Sequence, residues 1–218
     1  YVQYFLADSY VEEPNITSLF RGKVDCFFVS KFFKNRQKTS ENFTKLRSIA
    51  GKDNNLTTGC SSKRNIHTID VFTRADAQEL SMLYQDVFPS YPCPITDPSY
   101  LSRAMDKEVR YYCIRSGNSI IAAAAIEPDY HGQYAELTDF ATLPEWRGRR
   151  LAEILLRHMN AVIDGSRIKT VYTIARASSY GMNRVFWKCG FSYSGLVLNK
   201  TQISGSMRSM SGWYCQVE

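Results

Sequence analysis

A run of β-forming residues, Tyr134 to Thr142, stops at Pro144, and Glu145-Trp146-Arg147-Gly148-Arg149-Arg150 follows. Leu151, Ile154, Leu155, Met159 and Val162 then recur at helical spacing. The order is a strand, a turn rich in Arg and Gly, and an amphipathic helix that opens on the turn. A helix N-terminus presents unpaired backbone N–H groups and a partial positive charge. Guanidinium groups in the approaching loop add two-pronged donors. Such a turn is suited to holding a pyrophosphate. The plainer reading is an ordinary strand-to-helix loop with solvated arginines, and composition does not separate the two. The strand itself carries two acids, Glu136 and Asp139. Glu136 shares a face with Thr138 and Phe140, whereas Asp139 points to the other face unless a bulge intervenes.

Arg147 to Ala152 resembles the coenzyme A signature of the GNAT superfamily of N-acetyltransferases, R/Q-x-x-G-x-G/A. Arg147 and Ala152 fit its ends, and Arg150 stands where the pattern has its central glycine. A non-glycine residue there can still offer its N–H if its φ is negative and its side chain points away from the phosphates. The resemblance extends further. From about Ile66 to the C-terminus the chain is similar to the β-lysine N-acetyltransferases, which acetylate the ε-amino group of β-lysine to make a compatible solute. The matching strings are Tyr91-Pro92-Cys93-Pro94-Ile95, Thr138 to Pro144, Tyr172-Thr173-Ile174-Ala175-Arg176-Ala177, Ser179-Tyr180-Gly181-Met182-Asn183, Asn199 with Thr201, Ile203-Ser204-Gly205 and Trp213-Tyr214. Weaker similarity reaches back to about Tyr4. The implied fold is α/β: a mixed central sheet splayed around acetyl-CoA, with a partial N-terminal α/β extension.

Amide formation from acetyl-CoA needs a held thioester, a neutral amine and stabilisation of a developing oxyanion. The resemblance implies that pantetheine pairs with the edge from Asp139 through Phe140 and Ala141 to Thr142. It places the pyrophosphate on Arg147, Gly148, Arg149, Arg150, Leu151 and Ala152, and a backbone N–H near Phe140 or Ala141 toward the acetyl oxygen. The bland alternative is a central strand and nothing more. A lysine-type amine is protonated at neutral pH, so a base or a desolvating pocket is required. Glu136 sits where some GNAT protein acetyltransferases place their base. Asp139 is the second candidate, because a bulge is common at this point of GNAT folds. Glu136 could instead bind a substrate ammonium or cap a solvated strand face. Many GNAT members use a tyrosine as acid toward the leaving thiolate, four residues before the glycine of a late Gly-Phe pair. Here Gly190-Phe191 is present and that position is Phe186, which leaves water, Tyr180 or Ser179, or unassisted departure of a thiol of ordinary acidity. Asn183 occupies the motif's amide position, as a cofactor contact or as a polar residue of the helix surface.

For the acceptor, Arg176 could pair with a carboxylate, and Tyr91, Asp97 and Asn199 could bind the second ammonium. The family pattern has an acid at Arg208 and an asparagine at Ser211, so the substrate pocket is where this chain departs. Other acceptors, a small amine or a protein lysine, therefore stay open. So does a coenzyme A-binding sensor without turnover, on account of Arg150 and Phe186.

The totals narrow the classes. The chain has 218 residues and a net charge of +6, long enough for one or two domains with a real core. The longest aliphatic run, Ile120 to Ile126, is too short to span a bilayer. Nine Lys and Arg stand against two acids between Lys31 and Arg64, so that segment carries +7 and the remainder −1. The basic excess is a polar stretch, read as a solvated linker rather than a nucleic-acid face. Cys26, Cys60, Cys93, Cys113, Cys189 and Cys215 form no CxxC pair, and His67, His131 and His158 form no cluster. The expectation is reduced thiols, no metal, a cytoplasmic setting, a small-molecule amine as partner and, for assembly, a homodimer. The Asn-x-Ser/Thr sites at Asn15, Asn42, Asn55 and Asn199 carry no meaning in that setting. The chain starts at Tyr1 without Met, and we expect its natural start to lie upstream.

The elements that must position these residues follow from periodicity. Residues 1–38 read as a partial α/β module and 39–65 as a polar basic linker, helical in part around Glu41 to Ile49. Residues 66–218 read as the acetyltransferase domain. Within it, Ile66 to Phe72 is a strand and Thr73 caps a helix from about Ala75 to Val87. Three prolines then force an irregular segment with a short helix from Tyr100 to Met105. Val109 to Arg115, Ser119 to Ile126 and Tyr134 to Thr142 are strands. The motif helix runs to Ile163 and ends before Gly165. Ile168 to Ile174 is a strand, Ser178 to Lys188 a helix, and Phe191 to Leu198 and Ser209 to Cys215 are closing strands.

Overall fold

The computed structural model describes residues 2–32, 43–50, 68–203 and 205–217. The expected start of the first domain strand, Cys60, His67 and most of the basic linker lie outside the described residues. The chain opens with α1 (Val2–Ala7) and the hairpin strands β1 (Val11–Phe20) and β2 (Val24–Ser30), followed by α2 (Thr44–Ala50). Then come β3 (Ile69–Val71), α3 (Ala77–Val87), α4 (Pro98–Asp106), β4 (Arg110–Ser116), β5 (Ser119–Asp129), β6 (Tyr134–Thr142) and α5 (Leu151–Ile163). The chain closes with β7 (Thr170–Arg176), α6 (Tyr180–Lys188), β8 (Ser192–Ile203) and β9 (Ser206–Gln216).

β3 to β9 form one mixed sheet in the order β3-β4-β5-β6-β7-β9-β8. Its neighbours run antiparallel except β6 and β7, which are parallel. The aliphatic run Ile120 to Ile126 is buried on both faces because helices cover both. On one face Ile121, Ala122, Ala124 and Ile126 meet Leu155, Leu156 and Met159 of α5 and Phe186 of α6. On the other Ile120, Ala123 and Ala125 meet Leu80 and Tyr84 of α3 and Leu101 of α4.

Two local caps set the starts of α3 and α4. Thr73 and Asp76 form a capping box at the turn that leads into α3. The helix predicted from Tyr100 begins earlier, at Pro98, because Asp97 caps it by accepting the N–H of Ser99 at 2.8 Å.

Two segments read from sequence as peripheral contribute to packing. Phe43, Leu46 and Ile49, around α2, are buried in the same core as α5 and α6. The β1–β2 hairpin docks on the sheet end carrying β8, β9 and β7. The Leu198 N–H donates to Glu13 Oε1 at 3.0 Å, Thr170 Oγ1 to the Ser18 carbonyl at 2.7 Å, and Gln216 Nε2 to the Thr17 carbonyl at 2.8 Å. Gly195 sits at φ +132°, and a Cβ on it would meet Pro14 Cα at 3.2 Å. The hairpin therefore lies directly on β8 where only glycine leaves room.

Candidate active site

The feature that makes a site is a gap in the sheet. β6 and β7 pair only at Tyr134–Thr170, Ala135–Val171 and Glu136–Tyr172. Beyond those pairs β7 stays bonded to β9 as far as Arg176, and β6 stays bonded to β5 as far as Thr142. The edge of β6 from Leu137 onward thus faces a slot with no β7 partner. A strand edge of this kind presents backbone donors and acceptors that an extended ligand can pair with.

A bulge shapes the same stretch. Ala125 pairs with Thr138 and Ala123 with Ala141, so two residues, Asp139 and Phe140, oppose Ala124. Asp139 takes φ +55°, the left-handed conformation that a bulge permits. Strict alternation would have sent Asp139 to the face opposite Glu136. The bulge instead lets Glu136, Thr138 and Asp139 line one cavity of about 480 Å³. Tyr91, Tyr100 and Tyr111 wall it, with Glu127, Arg103 of α4 and Lys107 just after that helix also on its lining. A narrower cleft of about 90 Å³ adjoins it, lined by Phe140, Ala175, Arg176, Ser179 and Phe186. Tyr91, Thr138, Asp139, Ile174, Ile203 and Met210 line both. The two spaces meet at the bulge.

The acids at that junction hold their protons tightly. Burial raises Glu136 to about 7, and Glu127, its cross-strand neighbour, and Asp139 push the same way; the Tyr172 hydroxyl, donating at 2.9 Å, opposes them. Burial raises Asp139 to about 6, with Glu127 adding, while the nearby Tyr91 hydroxyl and the Thr138 hydroxyl pull it back. Both carboxyls therefore sit near neutrality, where a group can accept a proton and release it again.

At the end of the slot lies the turn before α5. Gly148 is at φ +80° with nothing near its Cα substituent position. Arg147 Nε donates to the Thr142 carbonyl at 3.3 Å, and the Arg149 guanidinium lies 4.3 Å from the Trp146 ring centroid. Arg150 adopts φ +63°. This differs from the negative φ that a side chain there was expected to require. The loop keeps the glycine-like backbone and carries an arginine in it, at a cost of about 1 kcal/mol. An open strand edge, a glycine without neighbours and the arginine-flanked N-terminus of a helix together fit an extended, phosphate-bearing thioester. Leu151 is buried in the core and supports the turn from below.

Several expected site residues stand elsewhere. Asn183 is not a cofactor contact and not on the helix surface. It is fully buried, its Nδ2 donates to the carbonyls of Arg176 and Ser179, and its Oδ1 accepts from Trp213 Nε1 and the Ser211 hydroxyl. Its polar capacity is spent on tying α6 to β7 and β9. Tyr180 is 42% exposed and lies on neither cavity lining. Asp97 is consumed as the α4 cap. Asn199 sits at φ +43° in an irregular part of β8, against Ser209 Oγ, off both linings. Arg176 lines the narrow cleft and not the large cavity. Burial and the neighbouring Arg208 and Arg147 lower its pKa, so it belongs to a cationic group on the slot side. Phe186 is buried and meets Phe140 edge-on at 5.7 Å, an apolar wall at the position where the resemblance implied a tyrosine in other members. Tyr91 is at the junction, lining both spaces beside Asp139.

Sequence reasoning had not found Tyr100, Tyr111, Arg103, Lys107 and Glu127. The i, i+4 spacing of Arg103 and Lys107 and the cross-strand position of Glu127 were the signals available. Among the described residues no group of three His, Cys, Asp or Glu side chains could hold a metal, and no helix is long and apolar enough to cross a membrane.

A splayed β6–β7 pair, a helix N-terminus at the end of the slot and titratable acids at the bulge are the parts that acyl transfer from a bound coenzyme thioester needs. The family described as Acetyltransferase (GNAT) family matches residues 78–191, and the chain belongs to it. It is an N-acetyltransferase of that family, whose members use acetyl-CoA. Over 212 residues the chain is 33% identical to the beta-lysine N(6)-acetyltransferase of Methanococcus maripaludis, spanning 96% of this chain and 77% of that protein. The fold is similar to the ribosomal-protein-S18-alanine N-acetyltransferase of Escherichia coli, with a TM-score of 0.61 at 14% identity, over 70% of this chain and 95% of that one. It is also similar to yncA of Salmonella typhimurium, solved with its cofactor acetyl-CoA, with a TM-score of 0.59 at 12% identity, over 71% and 95%.

Proposed function

We propose that this chain acetylates the ε-amino group of β-lysine with acetyl-CoA as donor. The observation that carries the reading is the mixed charge of the large cavity. Acids stand at its junction with the slot and cations on its α4 wall, in a chain one-third identical to a β-lysine acetyltransferase. When bound, acetyl-CoA supplies an activated acetyl group. Arg147, Gly148, Arg149 and Ala152 would hold its pyrophosphate and the edge at Phe140, Ala141 and Thr142 its pantetheine.

The acceptor arrives as an ammonium with a pKa of about 10.4. Glu136 takes its proton. An ordinary carboxylate would be too weak a base by about six pKa units, and raising Glu136 to about 7 removes part of that gap. Asp139, accepting from the Thr138 hydroxyl at 3.4 Å, is the second proton-holding group at the junction. Acetylation removes one cationic centre and leaves a carboxylate and an ammonium. The product is a net-neutral zwitterion, as suits a compatible solute made in the cytoplasm.

The test is thiol release from acetyl-CoA over a panel of amines. β-Lysine should exceed cadaverine, which lacks the carboxylate, by about 10²-fold in kcat/KM, with α-lysine between them. Equal rates for β-lysine and cadaverine, or a preference for a lysine-bearing peptide, would move the acceptor to another class.

A further inference from the structure

The large cavity is lined by both acids and cations, and the mechanism uses only the acids. Glu136 and Asp139 stand at the slot, and Glu127 lies across the ladder from Glu136. On the α4 wall are Arg103, in the last turn of the helix, and Lys107, its C-cap residue. Both line the cavity from the C-terminal end of that helix. Neither takes part in an ion pair among the described residues. Asp106, the acid between them in sequence, is engaged by Arg74. Cations at a helix C-terminus do complement its dipole. That role alone does not require both to line the cavity that holds the acids.

We propose that Arg103 and Lys107 form the subsite for the carboxylate of the acceptor. Resting on the acceptor reading above, this sets the substrate's direction: the reacting amine at Glu136 and Asp139, the second ammonium at Glu127, the carboxylate at α4. It also replaces Arg176, which lies on the other side of the junction. The subsite selects ω-amino acids against diamines of the same length, because a diamine would bring a cation to the basic wall.

The test measures kcat/KM for β-lysine, 5-aminovalerate and cadaverine with wild type and with the Arg103→Ala/Lys107→Ala double variant. Thermal melting checks that the variant is folded. The expected result is a drop of at least tenfold in the ratio of β-lysine to cadaverine, carried by KM, with a parallel drop for 5-aminovalerate. Arg103→Lys with Lys107→Arg should retain the ratio. A double variant that loses all three substrates equally, or keeps the wild-type ratio, overturns the subsite. A wild type that ignores β-lysine but acetylates another amino acid, with the ratio to cadaverine collapsing in the variant, sinks the β-lysine reading and keeps the subsite. A wild type that acetylates β-lysine, with the ratio unchanged in the variant, does the reverse.

Discussion

At the scale of single residues, Glu136 shows how activity and stability oppose each other. Its carboxyl is held at about 7 in the fold, against 4.5 as its ordinary value. Between those values the folded protein keeps a proton that the unfolded chain has released, so stability falls as pH rises through that window. Below about 4.5 both states are protonated and the penalty vanishes. Glu136→Gln should therefore raise unfolding stability on the order of 2 kcal/mol at pH 8 and leave it unchanged near pH 4. The same variant should lower kcat by about 10²–10⁴ with acetyl-CoA affinity retained. Wild-type kcat/KM should climb as pH rises from 6 to 7, through the range where Asp139 and Glu136 lose their protons. Melting curves at two pH values and a pH–rate profile check all three. A variant within twofold of wild type would leave Glu136 a structural role only.

Elements show which parts of the site could be read from the chain. Hydrophobic period and turn residues placed β6 at Tyr134–Thr142 and the end of α5 at Ile163. They could not say where β6 and β7 part company, because splaying is a relation between strands far apart in sequence. The bulge at Asp139 was anticipated as a condition, and its left-handed φ makes both acids face one cavity. Asn183 defeated the reading for a different reason. A polar residue on a helix reads as exposed or ligand-binding, and only the packed fold reveals four internal partners. The turn before α5 offers its own test. Arg150 occupies a left-handed position that glycine adopts without a clash. Arg150→Gly should raise stability by about 0.5–1 kcal/mol if relief of strain outweighs the added freedom of the unfolded chain. Denaturant unfolding reads the change, and a loss of that size would show that the arginine side chain contributes more than its backbone costs.

Taken whole, the described residues on both sides of the change in composition pack together. The polar stretch after residue 38 contains α2, whose apolar side enters the core beside α6, and the N-terminal hairpin is bonded to three strands of the sheet. Gly195 is the tightest point of that contact. Gly195→Ala adds a Cβ against Pro14 at a φ disfavoured for alanine, and should cost about 1–3 kcal/mol. Limited proteolysis should then cut within Val11–Ser30 faster than in wild type. Unchanged cleavage would mean that the hairpin yields without loosening. One consequence of the short β6–β7 ladder reaches past the site. Amides of Leu137 to Thr142 that point into the slot have no strand to shield them, so in the free enzyme they should trade hydrogen for solvent deuterium quickly. The neighbouring amides of Tyr134 to Glu136 should exchange slowly in the same molecule. Addition of coenzyme A should slow the first set and leave the second alone. The three closed rungs and the open run beyond them would then be visible as an isotope boundary within a single strand.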